Sequence, residues 1–149
     1  MSLQEQVNKD IITAMKAKEE ATLRALRAVK AALLLAATAE GAGGQISDDQ
    51  SLKIVQKLAK QRKESLDIFT QNGRTELAKT EQEELDVLER YLPKQMSEDE
   101  IKAELQTLLK DAGATSAADF GKVMPLAMKH FAGRADGKVI GSLIKQLLG

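Results

Sequence analysis

Apolar residues recur at three- and four-residue intervals along almost the whole chain, and nowhere do they alternate as a half-buried strand requires. That spacing places one apolar stripe on a helix of 3.6 residues per turn. The residues between the stripes are mostly Ala, Leu, Lys, Glu and Gln, which lose little on entering a helix. An all-α fold follows. At 149 residues the chain can bury a core without disulfides or metals to staple it.

Punctuation divides the pattern into elements. A first helix is expected over about 3–18, with Leu3, Val7, Ile11 and Met15 on one face, and a second over about 20–39, striped by Leu26, Val29, Leu33 and Ala37. The glycines of Gly41-Ala-Gly-Gly44 end it, because glycine is costly inside a helix and cheap in a loop. Ser47 and Gln50 have capping-box spacing and open a third helix whose buried face is Leu52, Val55, Leu58, Leu66 and Phe69. Asn72-Gly73 closes it, and a fourth helix over about 75–90 carries Leu77, Leu85 and Leu88.

Pro93 disfavours helical geometry at Leu92, which makes Tyr91-Leu92-Pro93 the expected boundary between two domains, 1–92 and 93–149. Beyond it, Ser97 with Glu100 opens a fifth helix containing Ile101, Leu105, Leu108 and Leu109, and Gly113 ends it. Ser116 with Asp119 opens a sixth, holding Phe120, Val123, Met124 and Met128, which Pro125 should kink or split. Asp136 is placed to cap the last, whose broad apolar face is Val139, Ile140, Leu143, Ile144 and Leu147. The expected architecture is therefore an N-terminal domain of about four helices and a small C-terminal three-helix domain.

Chemistry has little to work with. With no cysteine there is no disulfide, thiolate metal site or thiol nucleophile. The lone histidine, His130, rules out a histidine metal triad within one chain, and no serine lies in a nucleophile-elbow pattern. His130 is read as structural or solvent-exposed. Glu81, Glu83, Glu84, Asp86 and Glu89 are more simply a solvated helix face, or partners for cations, than an acid–base pair held in a cleft. No catalytic residue, metal or cofactor is expected. The N-terminus has no basic start leading into an apolar run, and the longest apolar run, Ala31 to Ala37, falls well short of the roughly 20 residues that span a bilayer. No membrane association and a cytoplasmic location are expected.

Lysines and arginines number 22, as do aspartates and glutamates, so no general basic field surrounds the chain. The distribution is uneven: from Phe120 to Gly149 there are 5 basic residues and one acidic, Asp136. Lys122, Lys129, Arg134, Lys138 and Lys145 are the candidate contacts for a phosphate backbone, with His130 among them. Gly133 and Gly137 would admit close backbone approach, and the last helix offers free N–H groups at its start. Asp136 competes for those same donors, so a tight turn with solvated lysines is an equal reading. On the third helix Lys53, Lys57 and Lys60 share one side, with Arg62 and Lys63 adjacent, but Glu64 and Asp67 four residues on favour an ordinary charged surface. Aromatic residues are too few, and too regularly spaced with the core, to stack unpaired bases.

Lys60-Gln-Arg-Lys-Glu-Ser65, Asn72-Gly-Arg74 with Glu76-Leu77, and Glu84 ahead of Tyr91-Leu92-Pro93 resemble the YqeY-like family. Phe120-Gly-Lys-Val-Met124 followed by Gly133-Arg-Ala-Asp-Gly-Lys138 resembles the same family's second hallmark. The likeness covers nearly the whole chain, although the alanine- and leucine-rich stretch 31–45 is less typical. It implies an all-α fold whose C-terminal domain is similar to the tail of the B subunit of glutamine-dependent tRNA amidotransferase, a domain that helps hold tRNA and is also appended to some glutaminyl-tRNA synthetases. The parts that carry out amidation, the kinase-like cradle and the amidase subunit, have no counterpart here. The resemblance thus implies a tRNA-binding accessory module without catalysis of its own. Two alternatives accompany it: an adaptor docking on an aminoacyl-tRNA synthetase or amidotransferase subunits, and participation in carbon–nitrogen ligation with glutamine as amide donor.

Overall fold

The computed structural model describes residues 1–39, 41 and 43–149. Its helices are α1 (Leu3–Ala17), α2 (Glu20–Thr38), α3 (Asp48–Gln71), α4 (Thr75–Glu89), α5 (Glu98–Asp111), α6 (Phe120–His130) and α7 (Gly137–Leu148), with a 3-10 turn, Ala117–Asp119, ahead of α6. The fold is all-α, with no strand among the described residues. Packing divides it into two compact units, Met1–Leu92 and Pro93–Gly149. Of the expected Gly41–Gly44 helix break, Ala42 lies outside the described residues, as does Glu40 before it; Gly44 donates its N–H to the Ala37 carbonyl at 2.9 Å.

In the first unit, Ser2 and Glu5 close a capping box at the start of α1, each accepting a backbone N–H from the other, and Ser47 and Gln50 do the same for α3. The α2 stripe forms the spine: Leu26, Val29, Leu33 and Ala37 are all buried, and the first three pack with Val7, Ala14, Val55, Ala59, Leu85 and Leu88. At the α3–α4 turn, Gly73 adopts φ +69°, Arg74 donates to the Phe69 carbonyl at 2.8 Å and Gly73 to Thr70 at 3.2 Å. That double bond pattern is the left-handed helix ending glycine makes inexpensive. The α1–α2 turn does the same job without glycine: Lys18 takes φ +57° and Glu19 donates to Ala14 at 3.0 Å.

Several ends of the expected stripes lie outside the core, including Leu52 and Phe69 at the two ends of the α3 face, which are only partly buried. Met15 is exposed and Ala14 is buried instead. Successive i+4 steps each drift by about 40°, so the series 3, 7, 11, 15 rotates off the seam and an i+3 step returns to it. Leu77 is 45% exposed, as is much of Ile68 across the turn, at the end of the α3–α4 hairpin where the core cluster does not reach. Three carboxylates of α4 face arginines: Arg24 lies 3.3 Å from Glu83, and Arg62 lies 3.9 Å from Glu81 and 3.8 Å from Glu84. Tyr91, just past α4, donates its hydroxyl to the Asp10 carboxylate on α1. Burial first, then that carboxylate, raises the phenol above its ordinary range, so it remains a donor.

The second unit packs α5, α6 and α7 around Phe131, with Ile101, Leu105, Leu109, Val123, Ala127, Ile140 and Ile144. Ser97 caps α5 by accepting the Glu100 N–H at 3.2 Å, but the box is only half closed. The Glu100 carboxylate accepts the Ser97 hydroxyl at 3.1 Å rather than its N–H. Asp119 accepts from the Thr115 N–H at 2.9 Å and the Ser116 N–H at 3.3 Å, and these bonds, the first above all, lower its carboxyl from its ordinary value. Pro125 neither splits α6 nor ends it. Its ring faces solvent, and the carbonyl four residues earlier belongs to exposed Gly121, where water can take the place of the missing N–H. Met128, one of the apolar residues of α6, is exposed beside Gly137.

The α2 spine separates neighbouring leucines sharply, since Leu33 is 1% exposed and Leu35 74%. Leu33→Ala should lower unfolding free energy by about 2–5 kcal/mol. Leu35→Ala should leave it within about 0.5 kcal/mol. Urea midpoints of both variants check this, and equal shifts would show that α2 packs by another face.

Candidate nucleic-acid interface

The five cations flagged in the sequence all belong to the second unit, on α6, α7 and the bend between them. That bend is tightly built. Phe131 is fully buried, its N–H donates to Ala127 at 2.9 Å, and its carbonyl accepts from Arg134 at 2.9 Å and Ala135 at 3.3 Å. Buried Gly133 turns the chain at φ +76°. From the segment before α5, the Gln95 side-chain amide donates to the Gly133 carbonyl at 2.7 Å and the Met96 N–H to the Arg134 carbonyl at 3.0 Å. The bend is therefore held from both sides.

Arg134 is consumed by this construction. Its Nη2 donates to the His130 carbonyl at 2.6 Å, its Nη1 lies 3.9 Å from Glu104 on α5, and its guanidinium sits 5.7 Å from the centre of the Phe131 ring. His130 meets the same ring edge-on at 4.7 Å and places Nε2 3.4 Å from Glu104. Glu104 lies twenty-six residues before His130, where no local spacing signals it, and sequence reasoning missed it.

The four lysines fall on two sides. Lys122, Leu126 and Lys129 recur at i, i+4 and i+7, along one side of α6. Lys122 donates to the Ala112 carbonyl at 3.1 Å, satisfying the end of α5, where a cation also suits the helix dipole. Lys129 and Leu126 border a groove against α5. On the opposite side, α6 presents Phe120, Met124 and Met128 to α7. A Cβ on Gly141 would lie 3.6 Å from Met124 and 3.9 Å from Phe120, and one on Gly137 3.0 Å from Met128. The glycines let the methionines close over the seam. Lys138 and Lys145 stand seven residues apart on α7 and hence on one face, Lys145 at the seam and Lys138 bordering a hollow it shares with Glu98 at the start of α5. Lys145 Nζ lies 5.5 Å from the Phe120 ring centre, and Lys138 is exposed. The Asp136 carboxylate accepts the Lys138 backbone N–H at 3.2 Å, capping α7 and occupying a donor at its start. The structure thus gives Lys122 and Lys129 on one side of α6, Lys145 over Phe120 on the other, Lys138 beside Glu98, and one arginine spent in the bend.

The family model described as Yqey-like protein matches residues 4–148. The chain belongs to the Yqey-like family. One relative, altered inheritance of mitochondria protein 41, mitochondrial, from Pyrenophora tritici-repentis (strain Pt-1C-BFP), is 30% identical over 147 residues, covering 94% of this chain and 77% of that protein. In this Yqey-like chain the residues that carry the resemblance are largely builders of the fold. Arg62 faces Glu84, Asn72-Gly73-Arg74 makes the hairpin turn, Tyr91 ties to Asp10, and Gly133, Arg134 and Asp136 shape the bend and cap α7. Among the described residues no helix is long and apolar enough to cross a membrane, and no cluster of His, Cys, Asp and Glu could hold a metal.

A structural Arg134 and a solvated Lys138 predict different costs. Arg134→Ala should lower stability by about 1–2 kcal/mol, from the lost hydrogen bond and ring contact. Lys138→Ala should stay within about 0.5 kcal/mol. Denaturant titration at fixed pH measures both, and an unchanged midpoint for Arg134→Ala would free that side chain for a ligand.

Proposed function

We propose that the C-terminal unit is an accessory module that binds the phosphate backbone of folded RNA, with tRNA the RNA to which the family resemblance points. The observation that carries this reading is the segregation of charge. After Phe120 the chain has 5 basic residues and a single carboxylate, and that carboxylate is occupied in capping α7. Lys138 and Lys145 form the strip that meets phosphates, while Arg134 contributes by holding the bend. Lysine contacts of this kind position an RNA without reading its bases. Backbone and shape recognition suits a unit whose Phe131 is buried and whose Phe120 packs against the core. The proposal keeps the expected cytoplasmic setting, with a mitochondrial one as the alternative suggested by the name of the fungal relative.

The test is a titration of labelled tRNA at several salt concentrations with the full chain and a Lys138→Ala/Lys145→Ala double variant. Loss of two phosphate contacts should weaken binding and reduce the log–log salt slope by about 1–2. Identical affinity and slope for the two proteins would remove the α7 strip from the account.

A further inference from the structure

We infer that two copies of this chain associate through the α5–α6 groove, which is complementary to itself. The helices run antiparallel along it, since Lys122 reaches the Ala112 carbonyl at one end and His130 lies 3.4 Å from Glu104 at the other. The groove has a volume of about 900 Å³ and is bordered by Ala103, Thr107 and Leu108 on α5 and by Leu126 on α6. Leu126 is 48% exposed, a large apolar side chain beside small ones. The α5 wall carries Glu104 and Asp111 and the α6 wall Lys129, while Lys122, on the same side of α6 one turn before Leu126, stands at the end of the groove on the Ala112 carbonyl. Asp111 and Lys129 make no ion pair or hydrogen bond among the described residues.

A surface with one acidic wall and one basic wall is satisfied by its own copy when a two-fold axis lies along the groove. Such an axis sets α5 of each copy over α6 of the other at the same height. Counted from the His130–Glu104 end at 1.5 Å per residue, Leu126 and Leu108 then share a level, so each Leu126 packs against Leu108 of the second copy, with Thr107 beside it. Lys129 comes opposite Glu104 of the second copy, and Lys122 opposite Asp111. The alternative axis across the groove would set acid on acid and base on base, and is disfavoured. The association uses Lys122 and Lys129 and leaves Lys138 and Lys145 outside it, so it stands independently of RNA binding.

Sedimentation velocity of the full chain, from micromolar to millimolar concentration, tests this. Wild type should show a reversible monomer–dimer equilibrium that weakens with salt, and Leu126→Asp should be monomeric with an unchanged far-ultraviolet circular dichroism spectrum. Asp111→Lys and Lys122→Asp should each be monomeric alone, because each sets like charges together twice. Mixed in equal amounts they should restore the dimer as a heterodimer, which also shows that neither had merely misfolded. A wild type that stays monomeric throughout, a dimer that survives Leu126→Asp, or a mixture that fails to re-pair would each overturn the proposal.

Discussion

The burial of Phe131 is the constraint on which the C-terminal unit depends. A phenyl ring inserted between three short helices supplies a large part of the apolar area so small a unit can hide. Because the ring sits at the end of α6, the chain must reverse around it. The reversal needs a left-handed residue, supplied by Gly133, and a donor to satisfy the last α6 carbonyls, supplied by Arg134. Once Arg134 is bonded to the His130 carbonyl its guanidinium falls over the ring and towards Glu104, so the arginine most suggestive of a phosphate ligand is recruited by the core it borders.

How far the sequence could be read follows from the range of each interaction. Ser47–Gln50, Asn72-Gly73, Gly113 and Asp136 act within five residues of themselves, and their roles were legible from spacing alone. The α2 stripe was legible because four consecutive positions obey one period and every one is buried. Lys18 was not, since nothing in the side chain of a lysine announces a left-handed turn, and the conformation is imposed by the α1–α2 packing on either side. Of the two outcomes expected of Pro125, the split does not occur, and the carbonyl one turn earlier belongs to exposed Gly121, where water can reach it. Met15 and Leu77 misled because a stripe in sequence says which face is apolar, not how far along that face a neighbour extends.

The candidate site was legible as a composition and illegible as a surface. The excess of positive charge after Phe120 is a property of the sequence, but its division depends on what stands opposite each residue. Glu104, reached only through folding, takes up Arg134 and His130. The free end of α5 takes up Lys122. Glycines at 137 and 141 decide the remainder. By omitting side chains where α7 meets α6 they let Met124, Met128 and Phe120 fill the seam, and Lys145 is left standing over the Phe120 ring.

The spacing of Lys138 and Lys145 has a consequence for how such a strip can act. Seven residues at 1.5 Å rise set the two lysines about 10 Å apart along the helix. That is close to the Debye length at 0.1 M salt, so their mutual repulsion in solvent is small. Each ammonium can then displace its own counterion from a nucleic acid, and their contributions to salt dependence add rather than interfere. A cluster of the same two charges on adjacent helical turns would repel more strongly and share one phosphate. The α7 strip has instead the geometry of two independent contacts on a rigid support, which suits backbone binding that positions an RNA and leaves the reading of its sequence to other surfaces.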